Sequence, residues 1–165
     1  MNRPAPEIRP MLSADLDAVL AIAAASPQAP TWRHSNYSAY LSPPQPHLLR
    51  AAFVAVTSGS IVGFAAASLL LDSPETVDPL NRAELDSMAV DPALRHRGIG
   101  SALLSAVVAW AEEHGSRHLV LEVRASNLAA VRLYERHGFR HEGRRPYYYA
   151  DPAEDALLLG KPLLP

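Results

Sequence analysis

The chain has 165 residues, 48% hydrophobic and 19% charged, with a formal net charge of −2. That length suits a single domain, 1–165, and buries about 70% of the unfolded surface, enough for a core without staples. The balance of 15 Lys+Arg against 17 Asp+Glu gives no general electrostatic case for nucleic acid or an anionic membrane, and the absence of cysteine excludes disulfides, thiolate metal sites and an acyl-cysteine intermediate.

Residues 1–6 read as a frayed, disordered terminus without the apolar run of a signal peptide. The longest apolar run, Ile61 to Leu71, contains Gly63 and Ser68 and is too short to span a bilayer. The cytoplasm is therefore the expected location. Glu7 to Leu12 is a candidate strand. Ser13 then offers an N-cap, with Asp15 and Asp17 in a first turn and Leu16, Val19, Leu20 and Ala23 at helical spacing. Ser26 to Pro46 is proline-rich and leaves room for one short helix within Thr31 to Leu41. A hairpin follows: Arg50 to Val56, a turn at Thr57 to Ser60, and Ile61 to Leu71. A polar loop, Asp72 to Arg82, leads to a strand over Ala83 to Val90.

Beyond Asp91-Pro92 the period changes. Ile99, Leu103, Ala106, Val107 and Trp110 recur at helical spacing, with Gly115 as the stop. His118 to Arg124 is strand-like. Asn127 to His137 reads as a short helix capped by Asn127 and stopped by Gly138. Phe139 to Glu142 and Asp155 to Lys161 read as two last strands around a polar, tyrosine-rich loop. The sum is a mixed sheet with helices on both faces.

The densest chemical signal is Met88-Ala89-Val90-Asp91-Pro92-Ala93-Leu94-Arg95-His96-Arg97-Gly98-Ile99-Gly100. A strand ends, a loop follows, and an amphipathic helix opens on Gly98-Ile99-Gly100. Free N–H groups of a first helical turn and the helix dipole make an anion site, which glycines let a phosphate approach. Arg95 and Arg97 add positive charge. The motif lacks the Gly-Lys-Ser/Thr of a Walker loop, and Leu103 stands where a dinucleotide fingerprint needs its third glycine. On its own it fits a glycine-lined turn with solvated arginines equally well. Further on, Glu122 interrupts an otherwise apolar strand. Asn127 and Tyr134 lie almost two helical turns apart, on one face.

With these residues the chain resembles the GNAT acetyltransferase superfamily. Arg95-x-x-Gly98-x-Gly100 is similar to its diphosphate-binding motif. Leu121 to Asn127, Leu133 to Phe139, and Arg144-Arg145-Pro146-Tyr147-Tyr148 followed by Glu154-Asp155-Ala156 resemble its ribosomal-protein-alanine N-acetyltransferase (RimI-type) branch. The likeness is close from about Leu85 to Pro162; the first half agrees in element order only. It implies an α/β fold, a GNAT-like three-layer α/β/α sandwich with a mixed, mostly antiparallel central sheet. Residues 84–145 would form the acetyl-CoA-binding and catalytic core. Met88, Ala89 and Val90 would pair with the pantetheine arm. Arg95, His96, Arg97, Gly98, Ile99, Gly100 and Ser101 would wrap the diphosphate, and Asn127 and Tyr134 would also meet the co-substrate. Glu122 would be the general base and Tyr134 the acid toward the leaving thiolate. The reaction would be direct attack in a ternary complex, with a backbone N–H near Val90 stabilising the oxyanion.

An α-amine, with a pKa of about 7.7–8, supplies its neutral form at pH 7.4 for roughly 0.5 kcal/mol, against about 4 kcal/mol for a lysine near 10.4. A carboxylate base suits the first acceptor better. Full proton transfer from a tyrosine (about 10) to a thiolate (about 8.5) runs uphill by about 2 kcal/mol, so hydrogen bonding to the thiolate is the more economical role. In isolation each residue has a plainer reading: Glu122 as a strand carboxylate facing solvent or paired with Arg124 or Arg132, Tyr134 as a core aromatic with its hydroxyl at the surface, Asn127 as a cap. Glu84 is a rival base, on the strand where some superfamily members place an acid. The histidine pairs His114/His118 and His137/His141 are each split by a glycine, so no metal is expected. Tyr147, Tyr148 and Tyr149 near Asp151, Glu154 and Asp155 would line an acceptor groove suited to a cation, and Ser26 to Pro46 departs from the family where it shapes that groove. The expected partners are acetyl-CoA and an amine, in first place a protein N-terminus, in monomer or homodimer. A small-amine acetyltransferase and a non-catalytic acyl-CoA-binding module are the competing readings.

Overall fold

The computed structural model describes residues 5–72, 78 and 80–164. The frayed-terminus reading therefore lies outside the described residues for 1–4, as does most of the loop at 72–82. The strands are β1 (Glu7–Pro10), β2 (Leu48–Thr57), β3 (Ser60–Leu70), β4 (Arg82–Val90), β5 (His118–Arg124), β6 (Arg140–Ala150) and β7 (Ala153–Pro162). The helices are α1 (Leu16–Ala24), α2 (His34–Ser38), α3 (Ile99–Glu113) and α4 (Leu128–Arg136). One seven-stranded sheet runs β1-β2-β3-β4-β5-β7-β6. Among the described residues only β4 and β5 pair in parallel, and the other pairings are antiparallel.

The layers follow from strand alternation. In β2 and β3, Ala52, Val54, Phe64 and Ala66 face one apolar cluster with Leu16, Val19, Ile22 and Ala23 of α1 and Tyr37 of α2. Ala55, Val62, Ala65, Ala67 and Leu69 face the other, which holds Ile99, Leu103, Leu104, Val107 and Ala111 of α3 and Val131 and Tyr134 of α4. Each face thus buries one helical stripe, giving a three-layer α/β/α sandwich.

Ser13 does not cap α1. Ser13–Asp15 form a turn of 3-10 helix, and the Asp15 carboxylate accepts the Leu12 N–H at 2.8 Å and both terminal nitrogens of Arg9 at 2.6 and 2.9 Å. These hydrogen bonds hold the Asp15 carboxyl below its ordinary pKa of 3.8. A depressed carboxylate stabilises the fold above its unfolded pKa and loses that contribution as pH falls through the folded value. Asp15→Asn should lower stability by about 1–2 kcal/mol at pH 7. Urea unfolding at pH 7 and below pH 3 checks it: the gap between variant and parent should close in acid.

The tyrosine-rich segment is strand rather than loop. β6 continues through it, and the register against β7 jumps from Arg145↔Ala156 to Tyr149↔Glu154, leaving Pro146, Tyr147 and Tyr148 as a bulge. Proline cannot join a ladder, so the chain arches there. Tyr147 takes a positive φ of 53°, and its N–H donates to the Asp155 carboxylate at 2.9 Å.

Candidate active site

The sheet opens in its centre. β4 and β5 pair only from Arg82↔His118 to Leu85↔Leu121; beyond that rung the strands separate. The opening coincides with a bulge in β4, where Ala66↔Ser87 is followed by Ala67↔Leu85 and Asp86 is left without a partner on β3. One extra residue reverses the alternation. Leu85 packs in the α3 cluster, whereas Ala89 packs with α1 and α2. Asp86 and Glu122 are therefore the first residues past the split, one on each strand.

A cavity of about 1010 Å³ fills the gap, a size at the upper end for small-molecule sites. Its walls include Met88, Ala89, Val90, Arg95, His96, Gly98, Ile99, Gly100, Ser101, Glu122, Asn127 and Tyr134. Arg97 is exposed and outside it. Glu84 is also outside, while Asp86 is on the wall, so the β4 acid nearest the cavity is Asp86.

One end is built for an anion. Gly98, N-cap of α3, has φ +78°, and nothing lies within 4 Å of where its Cβ would stand. His96 also has a positive φ, 61°. These two left-handed residues lead into a 15-residue helix whose first-turn N–H groups have no intrahelical acceptor. Gly100 lets α4 close in: a Cβ there would stand 3.1 Å from Leu133 Cδ2. The left-handed turns at the helix N-terminus and the volume of the gap fit a phosphate-bearing thioester with a long arm.

The other end is carboxylate-lined. Glu122 Oε1 lies 2.9 Å from Arg145 Nε, so its ion-pair partner is neither Arg124 nor Arg132. The neighbouring Glu122 carboxylate, with burial, pushes the Tyr148 hydroxyl pKa up to about 12. Asp86 accepts the Tyr40 hydroxyl at 2.8 Å, and burial raises its carboxyl above the usual range. Glu84 is also raised, by burial and by the charges of Asp86 and Glu122. Tyr134 is buried, 5.7 Å from the Phe139 ring, and burial together with Tyr149 raises its hydroxyl pKa. Asn127 Oδ1 accepts the Ala130 N–H at 3.2 Å, capping α4 and leaving its amide N–H groups for the cavity.

Glu154 and Asp155 are spent locally. Glu154 accepts Ser126 N and Oγ at 2.6 and 2.9 Å, and Asp155 pairs with Arg144 at 2.6 Å. They hold the β6–β7 end and are not free for a cation. The cavity wall at Ser26, Gln28, Ala29, Pro30 and Thr31 falls in the Ser26 to Pro46 segment expected to shape the acceptor groove, whereas Asp86 and Arg145 have no role in the sequence reading. Only Asp86 had a readable signal: the apolar positions Ala83 and Leu85 slip by one to Met88 and Val90, the mark of a bulge. His114, His118 and His141 face Trp110 O, Glu142 and Glu135.

The site thus combines split strands, left-handed turns at the N-terminus of α3, and Glu122 and Tyr134 on one cavity wall. The model of the acetyltransferase (GNAT) family matches residues 16–139, and the chain belongs to that family. It is an acetyl-CoA-dependent N-acetyltransferase, with acetyl-CoA as its acyl donor. A protein of Bacillus subtilis (strain 168) is 32% identical over 152 residues, 92% of each chain. The ribosomal protein bS18-alanine N-acetyltransferase of Escherichia coli (strain K12) is 37% identical over 113 residues, 67% of this chain and 70% of its own. The crystal structure of the ribosomal-protein-S18-alanine N-acetyltransferase from Escherichia coli matches with a TM-score of 0.73 at 30% identity, over 96% of this chain and 94% of that one.

Proposed function

We propose that this enzyme acetylates the α-amine of a protein N-terminus, as the names of its ribosomal-protein-alanine relatives suggest. The observation that carries the reading is the placement of Glu122 and Tyr134 on one cavity, with Glu122 at the first position past the last β4–β5 rung. Acetyl-CoA supplies the thioester. His96 and Gly98 to Ser101 hold the diphosphate, and Met88 to Val90 lie along the pantetheine arm. Glu122 takes the proton of the bound ammonium, the neutral amine attacks, and an amide N–H near Val90 receives the oxyanion. Tyr134 donates a hydrogen bond to the departing thiolate. Its raised pKa keeps the phenol protonated throughout, which favours hydrogen bonding over full proton transfer.

Residues 84–145 are the acetyl-CoA-binding and catalytic core of a single domain, with Ser26 to Thr31 closing the acceptor end. Among the described residues no helix is long and apolar enough to cross a membrane, and the cytoplasm, where a nascent or newly released N-terminus is met, is the proposed site of action.

The deciding experiment measures CoA release with Ala-, Ser- and Met-starting peptides, N-blocked lysine peptides, polyamines and aminoglycosides. Turnover with free N-termini, abolished by blocking them, is expected. Turnover with small amines alone would overturn the acceptor assignment while leaving the chemistry intact.

A further inference from the structure

His137, one of the histidines set aside as a metal ligand, follows the last residue of α4 and faces the start of α3. Its Nε2 lies 3.0 Å from Ser101 Oγ, and Ser101 lines the cavity beside Gly100. The position is fixed from behind: Lys161 Nζ donates to the His137 carbonyl at 2.8 Å, and the His137 N–H reaches the carbonyls of Leu133 and Tyr134 at 3.2 and 3.0 Å. Neighbouring Arg136 lines the cavity.

A hydroxyl beside a phosphate helps only if its proton points at the phosphate. If Ser101 gave its proton to His137, a bare oxygen would face the anion. If His137 donates through Nε2–H, Ser101 accepts from behind and its own O–H is free to turn forward. We infer that His137 is a positioning residue for the donor, which presents the Ser101 hydroxyl proton to the diphosphate through the chain His137 Nε2–H to Ser101 Oγ–H to phosphate oxygen. The inference rests on the placement of the diphosphate at His96 to Ser101. Burial, Lys161 and Arg136 all lower the His137 pKa, which keeps the ring neutral with one N–H to give. Nδ1 is then the unprotonated nitrogen.

The test titrates CoA into the purified enzyme by calorimetry and measures turnover with acetyl-CoA and with acetyl-pantetheine, which lacks the diphosphate. His137→Ala should weaken CoA binding by roughly three- to tenfold, the worth of one hydrogen bond to a charged group. It should leave kcat/KM for acetyl-pantetheine within about twofold on the same scale. His137→Gln, whose amide N–H can replace Nε2–H, should restore CoA affinity. Ser101→Ala should lose as much as His137→Ala, and the double variant no more than either. Additive losses, or an equal loss with acetyl-pantetheine, would overturn the inference. If neither Ser101→Ala nor His137→Ala alters CoA affinity while Gly98→Val does, the diphosphate placement stands and the relay fails. If none of the three does, the placement itself fails.

Discussion

Glu122→Gln is expected to lower kcat by roughly 10²- to 10⁴-fold, the span of a positioned general base. Glutamine keeps the shape and an oxygen that still accepts from Arg145, so the fold around the 2.9 Å contact should survive. The defect should also depend on pH in one direction. Below the acceptor's pKa, about 7.7–8 for an α-amine, the nucleophile arrives as ammonium and needs the base. Above it the neutral amine is already present, and the ratio of parent to variant should shrink. Steady-state turnover from pH 6.5 to 9.5 at saturating acetyl-CoA reads both effects. Glu84→Gln serves as the control and should stay within about threefold, since Glu84 lies off the cavity wall and is not positioned as a general base. A loss below tenfold for Glu122→Gln, with Asp86→Asn taking the larger defect, would move the base to β4.

Tyr134→Phe is expected to reduce kcat by roughly 10²-fold, the cost of removing one donor from a developing anion. The KM for acetyl-CoA should hardly move, because the hydrogen bond strengthens only as sulfur gains charge. Phenylalanine keeps the ring contact with Phe139, so the melting temperature should stay close to that of the parent. The raised Tyr134 pKa adds a second expectation: the parent's rate should show no descending limb from this residue below pH 10. Thermal denaturation beside the kinetics separates a chemical loss from a packing loss.

The second half of the chain was legible because its signals are local. β5 spans the apolar, strand-like run His118 to Arg124, and α4 lies between Asn127 and Gly138, where a cap and a positive φ of 86° agree. β6 was misread since polarity and Pro146 mark a turn, whereas the strand lies at the sheet's edge, where polar residues and a proline bulge are tolerated. The candidate catalytic pair was legible through the family motif. The partners of Glu122 were not, because Arg145 and Tyr148 reach it from a strand that is a neighbour only through β7. The cavity wall at Ser26 to Thr31 was unreadable in detail for a similar reason. It is placed by distant contacts of the residues after it: Tyr37, edge-on to Phe64 at 5.3 Å, and Tyr40 on Asp86.

The short β4–β5 ladder also bears on how the molecule breathes. Among the described residues, four rungs are the only strand-to-strand tie between β1–β4 and the β5-β7-β6 group. Past them the sheet is an unzipped seam, its lips held by α3 and α4 packing rather than by interstrand hydrogen bonds. A donor lying in that seam acts as a removable staple. At a hundred times its dissociation constant it would add about 2.7 kcal/mol to the folded state, and amide exchange should slow most along Met88 to Val90, farthest from the last rung. The enzyme between turnovers would then be its least rigid form, loosest along the line where the next acetyl group enters.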